Sequence, residues 1–291
     1  MTRRIAIVCC IALVTGGLTF AQGRGGGRGG ARPAKVRKTL LIWADTRNGI
    51  AQHDSVSHAM SVIERLGYES GAYDSYIRTD SNIIAKQPLK TDGTPASGGP
   101  SLSTVDGIFF LGHRDVPLDA KQKAELLDFV REGKGFVAAH TATTAFLDWP
   151  EFGELIGGRY DDHPWNTAAG TVINEDPTFP ATKHFPASFA FTDEFYQAKD
   201  YSRNKLRVLL RLDMSKMPAN ADVHRTDGDF PLVWAKTYGK GRVLYSALGH
   251  AASVWDDRDI QQMYFEAVKW SLGMTEADVT PRPFPVISGS R

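Results

Sequence analysis

Cysteine is nearly absent from this sequence: only Cys9 and Cys10 occur in 291 residues. Both lie in the apolar stretch IAIVCCIALVTGGLTF, which follows Arg3 and Arg4 and ends at Thr19-Phe20-Ala21. A basic start, an apolar stretch and small residues at the cut predict a secretory signal over residues 1–21. The expected location is therefore secreted or periplasmic, after cleavage near Ala21. A chain cut there keeps no thiol, which excludes disulfides, a thiolate nucleophile and cysteine metal ligands. Net charge is also missing: 34 basic and 33 acidic residues leave +1. Nothing in that balance argues for nucleic acid or another polyanion. No apolar run beyond the signal is long enough to span a membrane. The sequence also has no internal repeat and no HxH or HExxH metal signature.

What is present is an alternation of strand and helix patterns. Residues 22–38 are rich in Gly and Arg and read as a flexible linker. TLLIWAD opens the folded part as a strand buried on both faces. Ser55 is expected to cap a helix through Val56, Ala59, Met60, Ile63 and Leu66, stopped by Gly67, with a second strand over Tyr68 to Tyr73. A polar loop (87–103) precedes the strand VDGIFFLG, the helix LDAKQKAELLDFVREG and the strand GFVAAH. This order predicts an α/β fold, a parallel sheet with helices on both faces. After Pro150, GTVI, FPASFAF, RVLLRLD, PLVWAKTYG and GRVLYSAL read as extra antiparallel strands among long loops. A helix from Asp259 to Leu272 closes one domain spanning 39–275, and a Pro-rich tail follows over 276–291.

In such a sheet, ligands bind beyond the carboxyl ends of the strands. Those ends here carry Asp45 with His53 close behind, His113 with Arg114, and His140 with Thr141. A lone histidine is more often structural than functional, but two at strand ends with a third nearby point to a site.

Several blocks resemble the ThuA-like (trehalose utilisation) family. They are GHRDVPLDAKQKAELLDFVREGKGFVAAHTATTAFLDWPEFGELIGGRYDDHP, TDEFYQ, DFPLVW and YGKGRVLYSALGH, in family order between Thr39 and Gly273. The resemblance implies a class I glutamine amidotransferase-like fold with a flavodoxin-like sheet. His140 stands where amidotransferases keep their cysteine, so glutamine hydrolysis through a thioester is excluded. The resemblance also marks His53 as an early family histidine, His163 as the second histidine motif, and Asp193 with Glu194 as a characteristic pair.

On a strand, Asp193 and Glu194 point to opposite faces, so one enters the cleft and the other supports it. Glu194 is read as acid/base or ligand and Asp193 as its partner; with His140 they form the catalytic candidates. Metal candidates are His53, His140 and His163, because neutral imidazoles with a carboxylate suit one zinc, manganese or iron ion. The residues permit such an ion without requiring it, and no nucleotide cofactor is expected. His113, Arg114, Trp165, His250 and Asp45 are the expected substrate contacts, Trp165 as a loop aromatic able to stack on a sugar. Trp43, Trp234 and Trp270 fall in strand or helix patterns and belong to the core.

The family association points to a small carbohydrate, a disaccharide or its 3-keto form, cleaved by proton abstraction. The sequence leaves open two other readings, a keto-sugar isomerase and a non-catalytic carbohydrate-binding or scaffold domain.

Overall fold

A computed structural model describes residues 37–49 and 51–284; the expected signal peptide and most of the linker lie outside them. The chain runs through β1 (Lys38–Trp43), α1 (Ser55–Ser70), β2 (Tyr73–Arg78), β3 (Gly107–Phe110), α2 (Ala120–Arg131) and β4 (Gly135–Ala139). It continues through α3 (Pro150–Ile156), β5 (Arg159–Asp162), β6 (Thr167–Asn174), β7 (Ser188–Glu194) and β8 (Gln197–Lys199). β9 (Arg207–Leu212), β10 (Pro231–Tyr238), β11 (Gly241–Ser246) and α4 (Arg258–Ser271) complete it.

Nine strands form one sheet in the order β2-β1-β3-β4-β11-β10-β9-β6-β7, while β5 and β8 pair separately. The first five run parallel, the flavodoxin order with β11 as fifth strand. The last four attach antiparallel, each to its neighbour. GRVLYSAL, expected among the extra antiparallel strands, is antiparallel only to β10. Toward β4 it is parallel and completes the core.

Adjacent residues of β3 show why its run is apolar throughout. Phe109 packs on Trp255 and Tyr264 of the α4 side, while Phe110 meets Phe136 and Phe152 of the α3 side. A strand buried on both faces has no polar alternation to display. Trp43, Trp234 and Trp270 are buried as expected.

Three local expectations are corrected. α1 passes through Gly67 and stops at Gly71, whose φ of 63° is the left-handed cap. Gly67 is required for packing, since a Cβ there would sit 2.3 Å from the Tyr73 ring. The second strand therefore starts at Tyr73 rather than Tyr68. Ser55 does not cap α1 either; Asp54 holds the N-cap position, and the Ser55 hydroxyl donates to the Gly249 carbonyl.

Candidate functional site

β4 ends at Ala139, and the chain breaks at His140 with φ 39° into a short 3₁₀ turn, His140–Thr144. A non-glycine residue with positive φ is strained, and such strain persists where surrounding contacts enforce it. Here the Tyr245 hydroxyl donates to the His140 carbonyl at 3.0 Å, and the imidazole stacks on Tyr196 at 4.1 Å between centroids. Nδ1 lies 2.6 Å from the Ala247 carbonyl, an acceptor only, so Nδ1 carries the proton. Nε2 is left as a buried lone pair with no partner.

That lone pair faces Glu194 at the end of β7. Glu194 Oε2 lies 3.4 Å from His140 Nε2, 2.9 Å from His250 Nδ1 and 3.9 Å from His53 Nε2. One ligand atom from each of the four residues falls within 4.8 Å of the others. Oε2, His140 Nε2 and His250 Nδ1 are all buried without an aligned hydrogen bond, and the bare His140 Nε2 meets the carboxylate lone pair to lone pair. Buried polar atoms rarely go unpaired. Lone pairs converging on one point suit a cation, and the carbonyl holding His140 by its other nitrogen is the usual outer support of a metal-ligating imidazole.

Burial alone would raise the Glu194 carboxyl, but His140, His53 and the charge of His250 outweigh it and hold it well below the usual carboxylate range. Burial lowers the His250 imidazole, against the pull of Glu194. Both shifts favour deprotonated ligands, the state a metal binds.

Above the cluster lies a cleft of about 510 Å³ lined by His53, His113, Arg114, Tyr160, His163, Glu194 and Tyr196, among others. His140 is not among its lining residues. His163 Nε2 approaches Glu194 through the other oxygen, Oε1, at 3.8 Å, and stands outside the four-residue group. The cluster thus takes Glu194 and His250 beside the expected His53 and His140, and leaves His163 at the cleft wall.

His113 and Arg114 line the cleft, and Arg114 adopts φ 55°. Burial, with the charges of His53 and Arg114, pushes the His113 imidazole down to about 4. Its Nδ1 is buried without a partner. Two expected contacts are elsewhere. Trp165 donates to the Pro218 carbonyl and packs on Phe230, away from the cleft, because its loop turns it toward the β9–β10 connection. Asp45 is buried, accepting from the Arg47 amide at 2.9 Å and the Ser81 hydroxyl at 2.5 Å, and braces the exit of β1.

Asp193 is also buried, and its carboxylate accepts from the amides of Glu194, Gly249 and His250. Burial raises its carboxyl, against the opposing pull of His140 and those amides. Sequence reasoning missed Tyr160 and Tyr196. Both sat inside the quoted motifs, Tyr196 two residues beyond Glu194 and so on the same side of an extended chain.

A flavodoxin-type sheet with an imidazole and carboxylate cluster at the carboxyl ends of its strands defines the class, an α/β protein with a strand-end site. The chain belongs to the trehalose utilisation (ThuA) family, whose profile matches residues 39–271. It is similar in fold to a solved ThuA-like protein from Bacteroides uniformis, with TM-score 0.64 and 23% identity over 83% of this chain and 94% of that one. A ThuA-like protein from Parabacteroides merdae gives 0.62 and 18%, over 87% and 96%. No protein of curated function matches the chain in sequence. Among the described residues, no helix is long and apolar enough to cross a membrane.

Proposed function

We propose that the protein is a carbohydrate-active enzyme that cleaves a disaccharide in its 3-keto form, assisted by one divalent metal. The convergence of four lone-pair donors, two of which (His53 and Glu194) line a cleft, carries this reading. The cleft volume lies in the ordinary range for small-molecule sites, roughly 300–1,000 Å³. His53, His140, His250 and Glu194 through Oε2 would hold zinc, manganese or iron. When bound, such an ion supplies Lewis acidity toward a substrate oxygen.

A ketone at C3 acidifies the proton on C2. Removal of that proton lets a double bond form between C1 and C2 as the C1–O bond breaks, and the departing oxygen takes a proton. Because His140 does not line the cleft, proton transfer falls to groups that do. His163 Nε2 faces it, 3.8 Å from Glu194 Oε1, and is placed to take the C2 proton. Burial and the charges of Asp162 and Glu194 push the Tyr160 phenol up to about 12, so it stays protonated and can donate to a sugar oxygen. Arg114 supplies a donor for hydroxyls along the wall.

The test is metal analysis beside turnover of a 3-keto-disaccharide by wild type, His140→Ala and Glu194→Gln. Near-stoichiometric metal should fall sharply in His140→Ala, and Glu194→Gln should slow cleavage by about 10²-fold or more. Undiminished turnover in His140→Ala would sink the proposal. A product with its glycosidic bond intact would replace cleavage by isomerisation. Tight sugar binding without turnover, indifferent to chelators, would leave a binding domain.

A further inference from the structure

The four clustered residues come from distant parts of the chain, yet all are tied to one short segment, Ala247 to His250. The Ala247 carbonyl accepts from His140 Nδ1 at 2.6 Å. The Gly249 carbonyl accepts from the Ser55 hydroxyl at 3.2 Å, two residues after His53, and from the Trp255 indole at 3.0 Å. The amides of Gly249 and His250 donate to Asp193 at 2.7 and 3.1 Å, and Asp193 also accepts from the amide of its neighbour Glu194 at 2.9 Å. Asp193 is only 1% exposed, so water does not compete for its oxygens.

We propose that Asp193 is the positioning residue for a divalent metal held by His53, His140, Glu194 and His250. Its carboxylate spans from the last strand of the sheet to the loop after β11 and sets Glu194 and His250 relative to each other. It is the only side chain among the described residues that hydrogen-bonds the backbone of two of the four. The aspartate does not touch the metal or the substrate; it acts through the peptide groups it holds. An asparagine of the same shape would present an NH₂ group or a weaker acceptor to three N–H donors, and at least one would lose its partner. Outer supports of this kind typically change metal affinity by about 10–100-fold.

This inference rests on the metal reading above, and the experiment separates the two. Zinc affinity is measured at 25 °C by competition with a chromophoric chelator, on folded full-length wild type, Asp193→Asn, Ser55→Ala and Asp176→Asn. Asp176 is equally buried but pairs with Arg207, outside the cluster, so its variant reports a purely structural loss. The expected result is a loss of about 10–100-fold for Asp193→Asn, a smaller loss for Ser55→Ala, and wild-type affinity for Asp176→Asn despite a lower melting temperature. Cobalt(II) in place of zinc adds a visible spectrum that should shift in Asp193→Asn alone of the two aspartate variants. Wild-type affinity in a folded Asp193→Asn overturns the proposal. If that variant does not fold, Asp193→Glu takes its place, keeping the charge but displacing the carboxylate, and wild-type affinity there overturns the proposal instead. A wild type that takes up no zinc or cobalt sinks the metal reading itself.

Discussion

At His113 the ring is closed in by burial, by His53 and by Arg114, and its proton affinity drops from the usual 6.5 to about 4. The unfolded chain therefore binds a proton between those values that the folded chain does not. Stability from the neutral ring is fully present above about 6.5 and is lost as pH falls toward about 4. Melting temperature of the metal-free protein should drop over that window, and His113→Gln should flatten the slope; an unchanged slope would show that another group carries it. His140 meets a different demand. Its Nε2 faces Glu194 without a hydrogen bond, and metal affinity should weaken at lower pH because ligands bind deprotonated, which chelator competition across pH would follow.

Elements decide where those residues stand, and the turn after β11 is the most constrained. Gly249 has φ 130°, and a Cβ there would lie 2.8 Å from the Trp255 ring. Gly249→Ala should cost about 1–3 kcal/mol from backbone strain alone and displace His250, read as a lower melting temperature together with weaker zinc binding. The order of β1, β3, α2 and β4 in the parallel core was legible in the sequence because the runs LLIWA, IFFL and FVAA are apolar at every position. The histidines at strand ends were legible for the same reason, since the runs stop where they begin. What could not be read was which of them meet. His250 and Glu194 join the cluster only because β11 and β7 run in the same sense as β4, and β11's parallel pairing is a long-range fact with no local pattern. Trp165 misled because an aromatic in a polar loop has the same signature whether it faces a ligand or plugs an edge.

Across the whole molecule, the described part of the tail is anchored rather than loose. Arg242 binds the Thr275 carbonyl and the Glu276 carboxylate, Arg207 reaches Asp278 and the Thr280 carbonyl, and Phe284 lies over Arg203 and Arg211. Deleting residues 275–291 should lower the melting temperature by about 2–10 °C, given roughly 2–4 °C per kcal/mol for a chain of this size. Zinc affinity should not change, because no described residue of the arm contacts the cluster. The four clustered residues span positions 53 to 250, so they meet only when strands from both ends of the domain are in place. During synthesis, the proposed ion site cannot form until residue 250 has emerged and packed beside β4. Any fragment ending earlier lacks it, and ion uptake timed against chain release would serve as a clock for completion of the fold.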